Sequence, residues 1–204
     1  VSTVFATEPQ ASLAKQLASI TPERKLTKTF FTNSGTEADE LAILAARCYT
    51  GSPEIVALRY SYHGRSSLAL TLTGQAPWRA GLMPQPGIVH ALHAYCYRCP
   101  FGLTYPECGT RCAYDVENVI RTTTSGRVAG IIAEPIQGVA GFVTPPKEYF
   151  PIVADIVRKY GGVFISDEVQ TAWGRTGEKW FGIEEWGVAP EVITSAKGLA
   201  NRMP

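Results

Sequence analysis

Short apolar runs of strand length alternate with amphipathic helical patterns along this chain, and this alternation limits the possible folds more than any other feature. Apolar runs at 129–134 and 162–167 flank a helix pattern that begins after Pro145-Pro146 and ends at Gly161. Two strands joined by such a crossover helix form a parallel pair, the βαβ unit. The pattern therefore predicts an α/β fold of three layers, in which helices cover both faces of a mostly parallel sheet.

The same pattern continues on both sides of this unit. The further predicted elements are helices at 9–20 and 36–49 and strands at 28–32, 55–59 and 192–196. No internal repeat or low-complexity linker divides the 204 residues, of which 45% are hydrophobic. We therefore expect one sizeable core.

Charge and hydropathy argue against two kinds of partner. The 19 basic and 18 acidic residues are interspersed, so no basic patch for nucleic acid or for a charged membrane surface is expected. The apolar runs are far shorter than the roughly 20 residues that span a bilayer, and no signal-peptide pattern is present. We expect a soluble, unsecreted protein of the cytoplasm, or of the mitochondrial matrix if the source is eukaryotic.

Polar and glycine-containing motifs follow the predicted strands at the points where these strands end. The motifs are Ser34-Gly35-Thr36, Tyr62-His63-Gly64, Glu134-Pro135-Ile136-Gln137-Gly138, Asp167-Glu168-Val169-Gln170 and Thr194-Ser195-Ala196-Lys197-Gly198. In an open parallel sheet, ligands bind at the carboxyl ends of the strands. We therefore expect the five motifs to converge on one ligand site.

Lys197 and Asp167 are the most informative side chains of these motifs. A lysine amine forms a Schiff base with an aldehyde cofactor, and a buried aspartate keeps a pyridine nitrogen protonated, so the pair indicates a pyridoxal phosphate site. Gly35 and Thr36 would bind the phosphate at a helix N-terminus, or would serve only as an ordinary helix cap.

Two further residues suit the faces of an aromatic cofactor ring. Tyr62 would stack on one face, with Gly64 keeping the backbone close, although a lone tyrosine is more often a core or interface residue. Val169 is two residues beyond Asp167 and on an extended chain points the same way, where it would support the opposite ring face or simply pack in the core.

In order and spacing, these motifs resemble those of the class III pyridoxal phosphate-dependent aminotransferases of fold type I, such as ornithine, 4-aminobutyrate and alanine–glyoxylate aminotransferases. The resemblance extends over 9–201. It implies that residues 1–204 form part of the cofactor-binding large domain. Because the chain starts at Val1 without a methionine and stops at Pro204, we expect the C-terminal part of that domain and a small domain to be missing.

The resemblance also implies the phosphate and ring contacts described above, together with further roles. Asp167 pairs with the ring nitrogen, Gln170 reaches the phenolic oxygen, and Lys197 binds the cofactor covalently and moves the substrate proton. Lys197 and Asp167 are thus the implied catalytic residues. The implied cofactor-binding set is Ser34, Gly35, Thr36, Tyr62, His63, Gly64, Glu134, Asp167, Val169, Gln170 and Lys197.

The implied reaction is the transfer of an amino group from an amino acid or ω-amino donor to a 2-oxo acid, in a homodimer with ping-pong kinetics. Ornithine and 4-aminobutyrate enzymes typically carry a glutamate after the Glu134 motif, whereas Val139 stands here. This departure favours an acceptor of the pyruvate or glyoxylate type. The same site residues would also serve an aminomutase, a decarboxylase or a phospho-lyase.

Four of the five cysteines form a cluster in a predicted insertion at about 93–113, a segment that the resembled family generally lacks. Their spacing suits a tetrathiolate site for structural zinc or an iron–sulfur cluster, and the alternatives are reduced thiols or two disulfides. The four are Cys96, Cys99, Cys108 and Cys112. A metal there, without a cofactor elsewhere, would instead indicate a non-catalytic interaction module. Cys48 is predicted to lie in the core.

Overall fold

The computed structural model describes residues 5–79, 81 and 83–201, and the predicted alternation of strands and helices is confirmed. The strands are β1 (Ile55–Leu58), β2 (Ile88–Ala91), β3 (Gly130–Ala133), β4 (Val163–Asp167) and β5 (Val192–Thr194). The helices are α1 (Glu8–Ile20), α2 (Gly35–Thr50), α3 (Ser67–Leu72), α4 (Arg111–Thr123) and α5 (Tyr149–Lys159). Short 3₁₀ helices occur at Pro22–Arg24, Ala76–Trp78, Cys96–Arg98, Gly182–Trp186 and Lys197–Ala200.

The five strands form one all-parallel sheet in the order β2-β1-β3-β4-β5. From β1 the chain first builds outward to β2, and from β3 onward it builds the other half of the sheet, so the order reverses between β1 and β3. Such a reversal opens a crevice at the carboxyl ends of the strands, where ligands bind in folds of this kind. The sheet topology therefore places the ligand site between the segments that follow β1 and β3.

Helices cover both faces of the sheet because alternate residues of each strand point to opposite sides. Val56 and Ile131 pack with α4 and α5 on one side, whereas Ile132 and Ile165 pack with α2 and α3 on the other. All four of these side chains are completely buried. The predicted three-layer arrangement is thereby confirmed.

Helix α2 matters most for the site, and specific residues fix both of its ends. The Ser34 hydroxyl accepts a hydrogen bond from the Glu37 N–H at 3.2 Å, and Gly51 ends the helix at a φ of +68°. A serine N-cap and a left-handed glycine satisfy backbone groups that helix ends leave unpaired. Because α2 begins at Gly35, its free N–H groups lie beside the crevice.

Two predictions about the outer layers are wrong. The predicted strand at 28–32 is irregular and pairs with no strand in the described part of the chain, and Phe30 is 69% exposed. Its aromatic and β-branched residues favour a strand, but a strand forms only beside a neighbour that completes the hydrogen-bond ladder. Cys48 is exposed rather than buried, because it lies two residues beyond buried Ala46 and hence on the opposite side of α2.

The sequence patterns did not predict α3, β2 or α4. Helix α4 begins at Arg111, so the last residues of the predicted cysteine-rich insertion are helical and Cys112 lies on the buried face of α4. Among the helices of the described residues, none has the length and apolar character that crossing a lipid bilayer requires.

Candidate active site

The segments that follow the strands enclose a cavity of about 200 Å³ at the carboxyl edge of the sheet. Its lining residues are Gly35, Thr36, Asp39, Tyr62, His63, Gly64, Glu134, Asp167, Val169, Gln170, Ala196 and Lys197. Every residue of the predicted cofactor-binding set except Ser34, which caps α2, is among them. The structure therefore brings the five motifs together at one place.

Asp167 ends β4 and is the best-defined group of the cavity. Its side chain is 3% exposed, and its Oδ2 lies 2.7 Å from Nδ1 of the completely buried His63 side chain. Its Oδ1 accepts a hydrogen bond from the Val169 N–H at 3.0 Å. This bond to the second residue onward is an Asx turn, so Val169 reaches the cavity through a turn and not through the extended chain that was predicted.

Glu134 joins the two segments that flank the crevice. Its Oε1 accepts from the Tyr62 N–H at 2.9 Å and its Oε2 from the Gly138 N–H at 3.1 Å. Burial raises the pKa of Glu134 to about 7, although His63 opposes this change. Glu134 therefore fixes the backbone beside Tyr62 and carries a proton for part of the time near neutral pH.

Asp39 is a cavity residue that the sequence analysis missed. It is 1% exposed, and its Oδ1 accepts from the Thr194 hydroxyl at 2.6 Å. It lies four residues after Gly35, and this helical spacing places both on the same face of α2, which is the signal that would have found it. Burial and the neighbouring charge of Asp167 raise the pKa of Asp39 well above its usual range.

Close approaches between loops shape the end of the cavity next to α2. A Cβ at Gly35 would lie 2.9 Å from Val169 Cγ2, and one at Gly64, whose φ is +119°, would lie 2.2 Å from Thr36 Oγ1. No side chain is tolerated at such separations, so glycine lets the loop after β1 reach the start of α2. Free N–H groups and the partial positive charge of a helix N-terminus suit an anion there.

Trp78, which is outside the predicted cofactor-binding set, packs against the Tyr62 ring. Its ring meets the Trp78 ring edge to face, with centroids 5.3 Å apart, and the Arg65 guanidinium lies 5.7 Å from the Trp78 centroid. Aromatic pairs prefer this T-shaped arrangement. Trp78 thus restricts the orientations of the tyrosine ring.

Lys197 lies at the mouth of the cavity, where its residue is exposed and has a φ of +42°. Positive φ is uncommon for residues other than glycine and is concentrated at functional sites. Lys197, Val169 and Gln170 also line a second cavity of about 1000 Å³, which includes Trp173 and Arg175. The lysine therefore stands between the small cavity that contains Asp167 and a larger one.

Glu168, the residue after Asp167, anchors the loop that follows β4. It is completely buried and accepts hydrogen bonds from four groups. These donors are the hydroxyls of Ser166 and Thr171 and the N–H groups of Gly182 and Ile183. Burial raises the pKa of Glu168 despite these bonds.

The four thiols of the cysteine segment are not drawn together into a site in this structure. All four cysteines are free, and among the described residues no three of their sulfur atoms lie within 4.8 Å of one another. Burial, with a smaller effect of the other three thiols, raises the pKa of Cys112 to about 11. The group that does satisfy this spacing is Asp39, His63 and Asp167. These three are already engaged with one another and with Thr194, so we assign no metal to them.

The cavity residues fit a pyridoxal phosphate. The start of α2 offers N–H groups that suit a phosphate, and Gly64 leaves the Thr36 hydroxyl uncovered by a side chain at that end. Asp167 would offer its buried carboxylate to a ring nitrogen, and Lys197 would offer its amine to an aldehyde.

Known proteins support this interpretation. The family model described as "Aminotransferase class-III" matches residues 1–204. Alanine–glyoxylate aminotransferase 2 homolog 2, mitochondrial, of Arabidopsis thaliana is 43% identical over 95% of this chain and 39% of that protein. Leucine/methionine racemase of Thermococcus litoralis is 39% identical over 98% of this chain and 45% of that protein.

Among solved structures, a thermostable (S)-enantioselective omega-transaminase from Thermomicrobium roseum matches with a TM-score of 0.88 and 40% identity, over 97% of this chain and 46% of that one. The chain belongs to the class III aminotransferase family. It spans less than half the length of each of these three relatives.

Proposed function

We propose that this chain carries the cofactor site of a pyridoxal phosphate-dependent transaminase, which moves an amino group from an amino acid or ω-amino donor to a 2-oxo acid. The observation that carries the proposal is the meeting of Lys197 and Asp167 in one cavity at the carboxyl edge of the sheet. Class III aminotransferases use pyridoxal phosphate, and the cavity residues fit it. Residues 1–204 would then be part of the cofactor-binding large domain.

The cofactor supplies an aldehyde for the amino donor and an electron sink for the carbon that loses its proton. Asp167 holds a proton on the ring nitrogen, with His63 fixing the orientation of its carboxylate. The Lys197 amine would be the group that takes the proton from the amino-bearing carbon of the donor and carries it during the reaction. In the second half-reaction the same groups act in reverse on the 2-oxo acid.

The other cavity residues bind and orient. Gly35 and Thr36 bind the phosphate at the start of α2. Tyr62 and Val169 would hold the two faces of the ring, and Gln170, which packs against Gly138, would be the partner of the phenolic oxygen. Ser34 acts indirectly, because its hydroxyl caps the helix that presents the phosphate-binding groups.

Replacing the lysine tests the proposal directly. In the intact protein, Lys197→Ala should abolish the absorption band of the covalently bound cofactor and lower turnover about a thousandfold or more, since both the covalent link and the proton carrier are lost. Lys159→Ala is the matched control, because Lys159 pairs with Glu117 at the surface. A Lys197→Ala protein that kept the band and the wild-type rate would refute the assignment.

We further propose an acceptor of the pyruvate or glyoxylate type. Val139 stands where ornithine and 4-aminobutyrate enzymes typically carry a glutamate, and one relative is named an alanine–glyoxylate aminotransferase. Rates with pyruvate, glyoxylate and 2-oxoglutarate, measured with one common donor, test this directly. A higher kcat/KM for 2-oxoglutarate would contradict it.

The intact protein is proposed to be a homodimer. Lys197 is exposed at the mouth of the cavity, whereas its chemistry requires a site from which water is largely excluded. A second subunit would supply that cover, as in the enzymes that the motifs resemble. Light scattering at assay concentration tests this, and a fully active monomer would contradict it.

The intact protein is proposed to lie in the cytoplasm or in the mitochondrial matrix, which is testable by localising it in cells.

A different reaction at the same cofactor is the second candidate function. The similarity to a leucine/methionine racemase favours it, because proton transfer by Lys197 without amino-group transfer would give racemisation. Incubation of a single amino acid enantiomer without any 2-oxo acid separates the two. Racemisation at a rate comparable to transamination would favour the alternative.

A structural metal at Cys96, Cys99, Cys108 and Cys112 stays a proposal. The four thiols lie within a short segment and influence one another electrostatically, but binding would require the loop to draw them together. Elemental analysis of the intact protein, purified without added metal, should give about one zinc or one iron–sulfur cluster per chain. Absence of metal, with unchanged stability of the double variant Cys99→Ser and Cys108→Ser, would leave ordinary thiols.

A further inference from the structure

A second carboxyl group lies beside the catalytic aspartate and has no role in the mechanism described above. Asp39 on α2 and Asp167 on β4 have oxygen atoms within 4.8 Å of each other and of a His63 ring nitrogen. Both residues are at most 3% exposed. Thr194, the hydrogen-bond partner of Asp39, is also the register neighbour of Asp167 on β5. The sheet therefore fixes the two carboxyl groups relative to each other.

Two anions this close and this deeply buried would repel each other strongly. The His63 ring faces Asp167 through Nδ1, and its Nε2 is buried without a hydrogen-bond partner among the described residues. An ionised carboxylate only accepts hydrogen bonds, so Nδ1 of the ring is the donor toward Asp167. Glu134 is a further acid nearby, and Lys197 is the one cation that lines the described cavity.

The hydrogen bonds indicate which of the two carboxyl groups keeps a proton. Asp167 receives donors at both oxygens, from His63 and from the Val169 N–H, and this stabilises its charged form. Asp39 receives the Thr194 hydroxyl at Oδ1 only, which leaves its Oδ2 without a donor of its own. A proton on Oδ2 would satisfy Asp39 and allow it to donate toward Asp167.

We propose that Asp39 remains protonated in the folded protein and is a positioning residue, whose neutral O–H holds Asp167 ionised and correctly oriented. The protonation state follows from the packing of this chain alone. The effect of Asp39 on turnover rests on the proposed transaminase function, so the two parts are tested separately.

Infrared spectroscopy of the cofactor-free intact protein tests the protonation state. At about pH 7 an exposed aspartate is ionised, so a protonated Asp39 should give a carboxylic acid C=O band that Asp39→Asn removes. The substitution replaces one neutral group by another of the same shape, so the bands of Glu134 and Glu168 should cancel in the difference spectrum. A difference spectrum with a carboxylate band in place of the acid band would overturn the proposal.

Steady-state kinetics of the cofactor-loaded protein tests the positioning role. Asp39→Ala should lower kcat about tenfold or more with little change in KM, because Asp167 loses a donor that orients it. Asp39→Asn should restore most of that loss, since its amide N–H also donates to Asp167. Equal rates in the two variants would remove the positioning role, whereas absence of transamination in the wild type would instead refute the proposed function and leave the infrared result standing.

Discussion

Asp167 and Glu168 are adjacent carboxylates at the end of β4 that point to opposite sides of the chain and have different roles. Asp167 faces the cavity and accepts two hydrogen bonds, whereas Glu168 faces the following loop and accepts four. Both residues are at most 3% exposed. A carboxylate has roughly four lone-pair sites, so Glu168 is saturated, whereas Asp167 retains capacity for about two further partners.

This difference teaches that burial alone does not distinguish a functional carboxylate from a structural one. Glu168 stabilises the loop at Thr171 and Gly182 because all of its acceptors are used within the protein. Asp167 is oriented by His63 and Val169 but is left incomplete on the side of the cavity. Unused hydrogen-bonding capacity that points into a cavity is therefore the better indicator of a binding role.

The largest expected effect separates chemistry from stability on the Asp167 side. Asp167→Asn should lower kcat about a thousandfold, because an amide does not hold a proton on the ring nitrogen of the cofactor. The melting temperature and the amount of bound cofactor should change little, since the phosphate and ring contacts remain. Kinetics and thermal unfolding of the same preparation check this. An unchanged kcat would show that Asp167 is not the functional carboxylate of the two.

The opposite result is expected on the Glu168 side. Glu168→Gln should lower the free energy of unfolding by about 3 to 4 kcal/mol, because an amide turns one acceptor into a donor that faces one N–H and one hydroxyl. The kcat per folded molecule should change less than about threefold. Glu178→Gln, an exposed substitution on the same loop, is the control. A Glu168→Gln protein with normal stability but greatly reduced turnover would reverse the roles assigned here.

A smaller, pH-dependent effect is expected at Glu134, which borders the cavity. Its folded-state pKa of about 7 lies above the usual 4.5, so the folded protein holds a proton that the unfolded chain releases. Its contribution to stability is therefore fully present below about pH 4.5, falls as the pH rises to about 7, and is constant above that. The free energy of unfolding lost between these two pH values is about 3 kcal/mol.

The variant Glu134→Gln cannot titrate at this position. Relative to the wild type, its unfolding free energy should improve between about pH 4.5 and 7, whatever its constant cost from the lost acceptor. Urea unfolding of both proteins across that range measures the difference. A difference that stays flat with pH would show that Glu134 has an ordinary pKa.

The sequence predicted the parts of the fold whose periodicity is unambiguous. Helix α2 was predicted to within one residue at each end, because Ser34 and Gly51 are specific end signals. Strand β2 was missed, since three of its four residues are only half-buried and give no continuous apolar pattern. The residues at 28–32 have strand composition without a strand partner among the described residues, and composition alone does not specify pairing.

The residues of the candidate site were predictable from the sequence, but the hydrogen bonds that join them were not. Motifs at strand ends converge because parallel strands share one carboxyl edge, and this holds for any strand order. The contact of His63 with Asp167 joins residues 104 positions apart and depends on the order of the strands, which periodicity does not specify. For the cysteines, spacing along an irregular loop fixes no geometry, so the metal stays a prediction.

The close approach of Gly64 to Thr36 has a consequence for mutational scanning of this protein. Alanine is normally the uninformative substitution, but at Gly64 its methyl group would overlap the Thr36 hydroxyl and require a left-handed backbone. A scan would therefore score Gly64 alongside Lys197, although Gly64 contributes no chemistry. Libraries that aim to widen substrate range should keep this position as glycine and vary the walls of the larger cavity, such as Trp173, where a change of side chain alters space without displacing the main chain.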